Sequence, residues 1–89
     1  MPFRIVEVQP TPNPNAVKFI LDKPVAGHPT SFFSSQQAQN HPLAASLFKI
    51  EGVSSLFLLG DFITVNKRPD AAWTRVRQCV SDVLSSEGQ

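Results

Sequence analysis

Three prolines at alternate positions, Pro10, Pro12 and Pro14, constrain this chain more than any other feature. Each holds φ at about −65° and has no N–H to donate, so the segment around them is neither helix nor inner strand. Asn13 and Asn15 stand between and after them; such side chains close local hydrogen bonds to backbone and tolerate the left-handed region, which suits a tight turn. From Ala16 the pattern changes. Val17, Phe19 and Leu21 alternate with Lys18, Ile20 and Asp22, a period-2 run rich in strand formers. Phe3–Val8 is the matching run before the turn, so the first expectation is a hairpin.

After Lys23-Pro24 comes a long connection, VAGHPTSFFSSQQAQN, whose Gly27, Pro29 and polar residues argue against a long regular element. Phe32 and Phe33 are too apolar for a free linker, and one of them is expected to pin the segment to the core as a short edge strand. Asn40 reads as an N-cap with Pro42 in the first turn, followed by Leu43, Leu47, Phe48 and Ile50 at helical spacing. Gly52 is the expected left-handed cap. Val53–Leu59 and Phe62–Val65 flank Gly60-Asp61, a strong hairpin signal. Asp70 is expected to cap a last helix running to about Ser85, with Trp73, Val76, Val80, Val83 and Leu84 on one face. Glu87-Gly88-Gln89 reads as a frayed tail. The order β-β-α-β-β-α implies a two-layer α+β fold, an antiparallel sheet with both helices on one face, forming one domain over residues 1–89.

Composition narrows the function. The 89 residues carry a net charge of +1 with only 8 Lys and Arg, which is not the footprint of a nucleic-acid binder. There is no apolar run of the ~18 residues a membrane span needs. The start, MPFRIVEVQP, lacks the charged region and cleavage site of a signal peptide, so a cytoplasmic protein is expected. One cysteine, Cys79, excludes an internal disulfide or CxxC site, and His28 and His41 show no metal-ligand spacing.

Three stretches together resemble the N-terminal domain of Nfu/NifU-type iron–sulfur scaffold proteins. They are TPNPNAVKFIL at 11–21, NHPLAASLFKIEGVSSLFLLGDFITVNK at 40–67, and the Asp70–Leu84 helix with Trp73. The resemblance implies a role in iron–sulfur cluster assembly or delivery. In that family a separate C-terminal domain holds the cluster through a CxxC pair, which this chain lacks. Cluster scaffolding is therefore not carried over, and what the resemblance leaves is a docking or accessory module. Its expected partners are an iron–sulfur cluster carrier, scaffold or recipient protein, with no nucleic acid and no membrane.

Three readings compete at the level of residues. The first is a docking face that joins the TPNPN turn to the Gly60-Asp61-Phe62 hairpin, using Asn13, Pro14, Asn15, Lys18, Asp61 and Phe62; against it, both asparagines serve only the turn and Phe62 is core. The second is weak iron binding or cluster relay through Cys79, with His28, His41 and Asp61 or Asp22. It needs a second chain or a partner's thiol, and against it a lone helix cysteine is a small hydrophobe. No resident cofactor or metal is expected. The third is catalysis, for which Cys79 with a distant histidine is the sole candidate pair, so no enzyme is expected. Ser34-Ser35 and Ser54-Ser55 read as loop polars, and Lys67-Arg68 and Arg75 with Arg77 as solvated surface charge.

Overall fold

A computed structural model describes residues 3–86, and the tail expected to fray at 87–89 lies outside them. The elements run β1 (Ile5–Pro10), β2 (Ala16–Leu21), β3 (Ala26–Phe32), α1 (Pro42–Phe48), β4 (Val53–Gly60), β5 (Phe62–Lys67) and α2 (Trp73–Ser86). The five strands form one antiparallel sheet in the order β1-β2-β5-β4-β3. This is the expected α+β architecture with one strand added, so the order is β-β-β-α-β-β-α.

The added strand is the Ala26–Phe32 segment, seven residues on the sheet edge. Its proline and glycine are tolerated because a register shift between Ala26 and Thr30 takes Gly27, His28 and Pro29 out of the ladder. Of the two phenylalanines, Phe32 packs against the core and Phe33 stands 70% exposed.

Register assembles the core. Phe19 faces Ile63, which faces Leu58; Val17 faces Val65, which faces Leu56. These rows lie on one side of the sheet. Leu43, Ala44 and Leu47 of α1 and Val76, Val80 and Leu84 of α2 close over that side in one cluster. The i, i+4, i+8 spacing of the α2 residues gives the stripe that this needs. On the other side Lys18, Thr64 and Phe57 form a row, as do Ile20, Phe62 and Leu59. All six are half-buried, and neither of the described helices packs on them.

Helix starts shift by a few residues from expectation. The N-cap of α1 is His41, one residue later than Asn40, and its Nδ1 accepts the Ala44 N–H at 3.2 Å. Helix α2 begins at Trp73, where the Ala72 carbonyl accepts from Arg75 and Val76. Asp70 instead sits in the preceding turn, 3.8 Å from Arg68. Gly52 has the expected positive φ, +102°, but in the turn into β4 beyond the helix end.

A Cβ at Gly52 would lie 2.7 Å from the Ala71 Cβ, whereas one at Gly27 would meet nothing within 4 Å. Gly52→Ala therefore combines backbone strain with a clash and should cost about 2–3 kcal/mol. Gly27→Ala should change stability by no more than about 0.5 kcal/mol. Urea midpoints of the two variants check this, and equal midpoints would contradict it.

Candidate functional site

The proline-rich turn is tied together from inside. The Asn15 N–H donates to Asn13 Oδ1 at 2.9 Å, and the Ala16 N–H to the Asn13 carbonyl at 3.0 Å. The Asn13 N–H donates to Thr11 Oγ1, and that hydroxyl lies 2.9 Å from the carbonyls of both Asn13 and Ala16. These are the local closures that asparagine and threonine favour in turns.

The turn is also bound to the rest of the fold. Lys67 donates from its backbone N–H to the Asn15 carbonyl at 2.8 Å and from Nζ to Asn15 Oδ1 at 3.0 Å. Nζ also reaches the Arg68 carbonyl at 3.2 Å and lies 5.6 Å from the centre of the Trp73 ring. Trp73, the first residue of α2, donates its indole N–H to the Pro14 carbonyl at 2.9 Å. Lys67 is not the solvated charge that the sequence suggests; at 8% exposure it is the one buried charged residue among those described. The signal was in the alternation, since Lys67 continues the Ile63, Val65 series onto the covered face.

The six residues expected to form one docking face fall into two groups. Ala16 pairs with Asn66 at one end of β2 and Ile20 with Phe62 at the other, where the Leu21 N–H reaches the Asp61 carbonyl. Asn13, Pro14 and Asn15 thus lie about 17 Å along the strand from Asp61. Lys18 and Phe62 do come together. Lys18 Nζ sits 4.1 Å above the Phe62 ring, and Phe57 is the ring's next neighbour at 6.1 Å between centroids. With Ile20 and Leu59 they make an apolar patch, topped by one cation, on the uncovered side.

The metal-ligating alternative does not gather. Cys79 is a free, half-buried thiol on α2, in a groove of about 520 Å³ between the helices. His41 caps α1 with its Nδ1 and has Phe32 against its ring, while His28 is exposed on β3. Among the described residues no three His, Cys, Asp or Glu side chains are placed to share a metal ion. No helix among them is long and apolar enough to cross a membrane.

The family described as "Scaffold protein Nfu/NifU N terminal" matches residues 6–89. The human protein named NFU1 iron-sulfur cluster scaffold homolog, mitochondrial, is 48% identical over 66 residues, 73% of this chain and 26% of that protein. Its namesake in Drosophila erecta is 35% identical over 81 residues, 89% of this chain and 29% of that protein. The chain thus spans less than a third of the length of these two relatives. Among solved structures, the crystal structure of Staphylococcus aureus protein SAV1430 superposes with a TM-score of 0.79 at 32% identity, over 90% of this chain and 96% of that one. The NifU-like protein from Saccharomyces cerevisiae gives a TM-score of 0.79 at 27% identity, over 94% and 76%.

Because Lys67 and Trp73 grip the same turn, their losses should couple. Lys67→Met keeps the aliphatic stem and loses the Nζ bonds, for about 1–2 kcal/mol; Trp73→Phe loses one donor, for about 1 kcal/mol. In a double-mutant cycle read by urea unfolding, the combined loss should depart from the sum by more than about 0.5 kcal/mol. Strict additivity would mean that each contact acts alone.

Proposed function

This chain belongs to the Nfu/NifU N-terminal scaffold family, and from that membership we propose that it is a non-catalytic docking module in iron–sulfur cluster assembly or delivery. Its partner is a protein that carries, builds or receives the cluster. A cluster needs several thiolate-type ligands, and this chain has a single cysteine, so its own residues do not fit a cluster. The cluster is then cargo on another protein, and what this domain contributes is a surface.

The observation that carries the reading is the uncovered sheet face with Lys18 stacked on Phe62. A contiguous apolar patch rimmed by polar groups is the usual mark of a partner site. The ring holds the Lys18 ammonium in place, so little order is lost when a partner's carboxylate meets it. Five strands of about six residues present roughly 500 Å² of face, short of the ~800 Å² per partner typical of stable complexes. Such a contact forms and releases, as delivery requires. Asp61 borders this patch, and Asn13, Pro14 and Asn15 form a rigid rim at the far end of the same strand. We place the protein in the cytoplasm; the human and fly relatives are named as mitochondrial, and cell fractionation separates the two.

The test is titration of the purified protein with a cluster-loaded scaffold from the same cell, followed by NMR. Lys18→Glu and Phe62→Ala should each weaken binding about tenfold, and Arg75→Ala, on exposed α2 across the sheet, should not change it. Unchanged affinity in both patch variants would sink the docking face. Anaerobic reconstitution with ferrous iron and sulfide should leave the protein colourless. Stoichiometric iron that is lost in Cys79→Ser would instead favour a thiol-assisted relay, for which the observation is that Cys79 lines an open groove.

A further inference from the structure

Strand β1 closes one edge of the sheet, and the phase of its ladder shows which backbone groups point outward. Pro10 faces Val17 and has no N–H, so that pair is not hydrogen-bonded. Counting back, Gln9–Lys18 and Glu7–Ile20 are bonded pairs and Val8–Phe19 is not. Past the irregularity between Ile5 and Glu7 the same phase resumes, because the Arg4 carbonyl accepts the Asp22 N–H at 3.0 Å. Ile5 and Val8 therefore turn N–H and C=O away from β2. No described residue takes those groups; the strand is tied to α2 before them, by the Phe3 N–H to the Leu84 carbonyl at 2.9 Å. The other edge is different, since Gly27, His28 and Pro29 break the regular spacing of β3.

Beside this edge runs a groove of about 410 Å³ between β1 and α2. Ile5, Val8 and Phe19 make its floor, and Thr74, Arg77 and Gln78 its helical wall. Among the described residues Arg77 is the only charged side chain lining it, and it is exposed. The sole ion pair among the described residues, Arg68–Asp70, is elsewhere. Val6, 57% exposed, lies on the same edge.

We propose that β1 receives a sixth strand, an extended acidic segment of another protein. Backbone pairing to Ile5 and Val8 supplies the affinity, as in other strand-addition sites. Alternate apolar side chains of the guest lie on the groove floor, about 4.8 Å further along the sheet. A guest carboxylate on that same side meets Arg77. A second copy of this chain suits the edge poorly, because two β1 strands paired across a twofold axis would bring Arg77 against its own counterpart. The groove lies on the helix side of the sheet and the Lys18–Phe62 patch on the other, so either surface can fail without the other.

The probe is a capped heptapeptide of threonine alternating with valine, glutamate and valine, titrated into the ¹⁵N-labelled protein. Expected are saturable shifts along β1 and at Arg77, with slowed exchange of the Ile5 and Val8 amides. Lysine in place of the glutamate should weaken binding about fivefold, and Arg77→Glu should reverse that preference. Val8→Pro removes an outward N–H and keeps an apolar side chain on the groove floor, so it should keep the fold and lose the peptide. N-methylating the peptide on its pairing edge makes the same test with the protein unaltered. Shifts confined to Phe57 and Phe62, equal binding of the N-methylated peptide, or no shift at millimolar peptide would overturn the proposal. So would self-association through β1 seen by sedimentation without peptide.

Discussion

The pairing of β2 with β5 is the seam on which the sheet depends. It joins the N-terminal hairpin to the strands that follow α1, and among the described residues no other strand pair crosses between them. On the covered side it places Phe19 on Ile63 and Val17 on Val65; on the open side it places Lys18 beside Thr64 and Ile20 beside Phe62. A slip of one residue would turn either Phe19 or Ile63 out to solvent, depending on which strand moved, so burial itself holds the register. The two ends are fastened as well, by Lys67 to Asn15 at one and by Leu21 to Asp61 at the other.

The buried lysine explains why the turn has its composition. An ammonium withdrawn from water needs its hydrogen bonds supplied by protein. The Asn15 side chain and the Arg68 carbonyl supply two, and the Trp73 ring offers its face nearby. The same indole then reaches the Pro14 carbonyl. The prolines lower the entropy lost in ordering this segment, and the asparagines provide oxygens that prolines lack. Turn, β5 and the start of α2 are thereby one unit. The helix cannot shift along the sheet without breaking it.

A sheet covered on one side leaves a second apolar face and two edges in contact with water. Here the face holds half-buried aromatic rings under a lysine, and the β3 edge is broken by Gly27 and Pro29. The β1 edge has a bulge and a terminal proline, yet Ile5 and Val8 turn backbone groups outward, unmet by any described residue, beside an apolar floor. The two proposed partner contacts rest on that open face and on the β1 edge.

Much of this was legible in the residues. Period-2 runs on either side of TPNPN and of Gly60-Asp61, and the Val76, Val80, Leu84 stripe, determine the hairpins, the last helix and the side each buries, because alternation and helical spacing are local properties of the chain. The family resemblance rests on the same stretches. Other features required the folded chain. Ala26–Phe32 becomes a strand only because β4 offers it an edge, against its own glycine and proline. His41 in place of Asn40 caps α1 because Nδ1, fixed beside the Phe32 ring, meets the Ala44 N–H. The separation of the TPNPN turn from Asp61, and the burial of Lys67 under that turn, follow from which strands lie side by side. Strand order is a long-range choice, made by the packing of the whole sheet against two helices, and no local pattern encodes it.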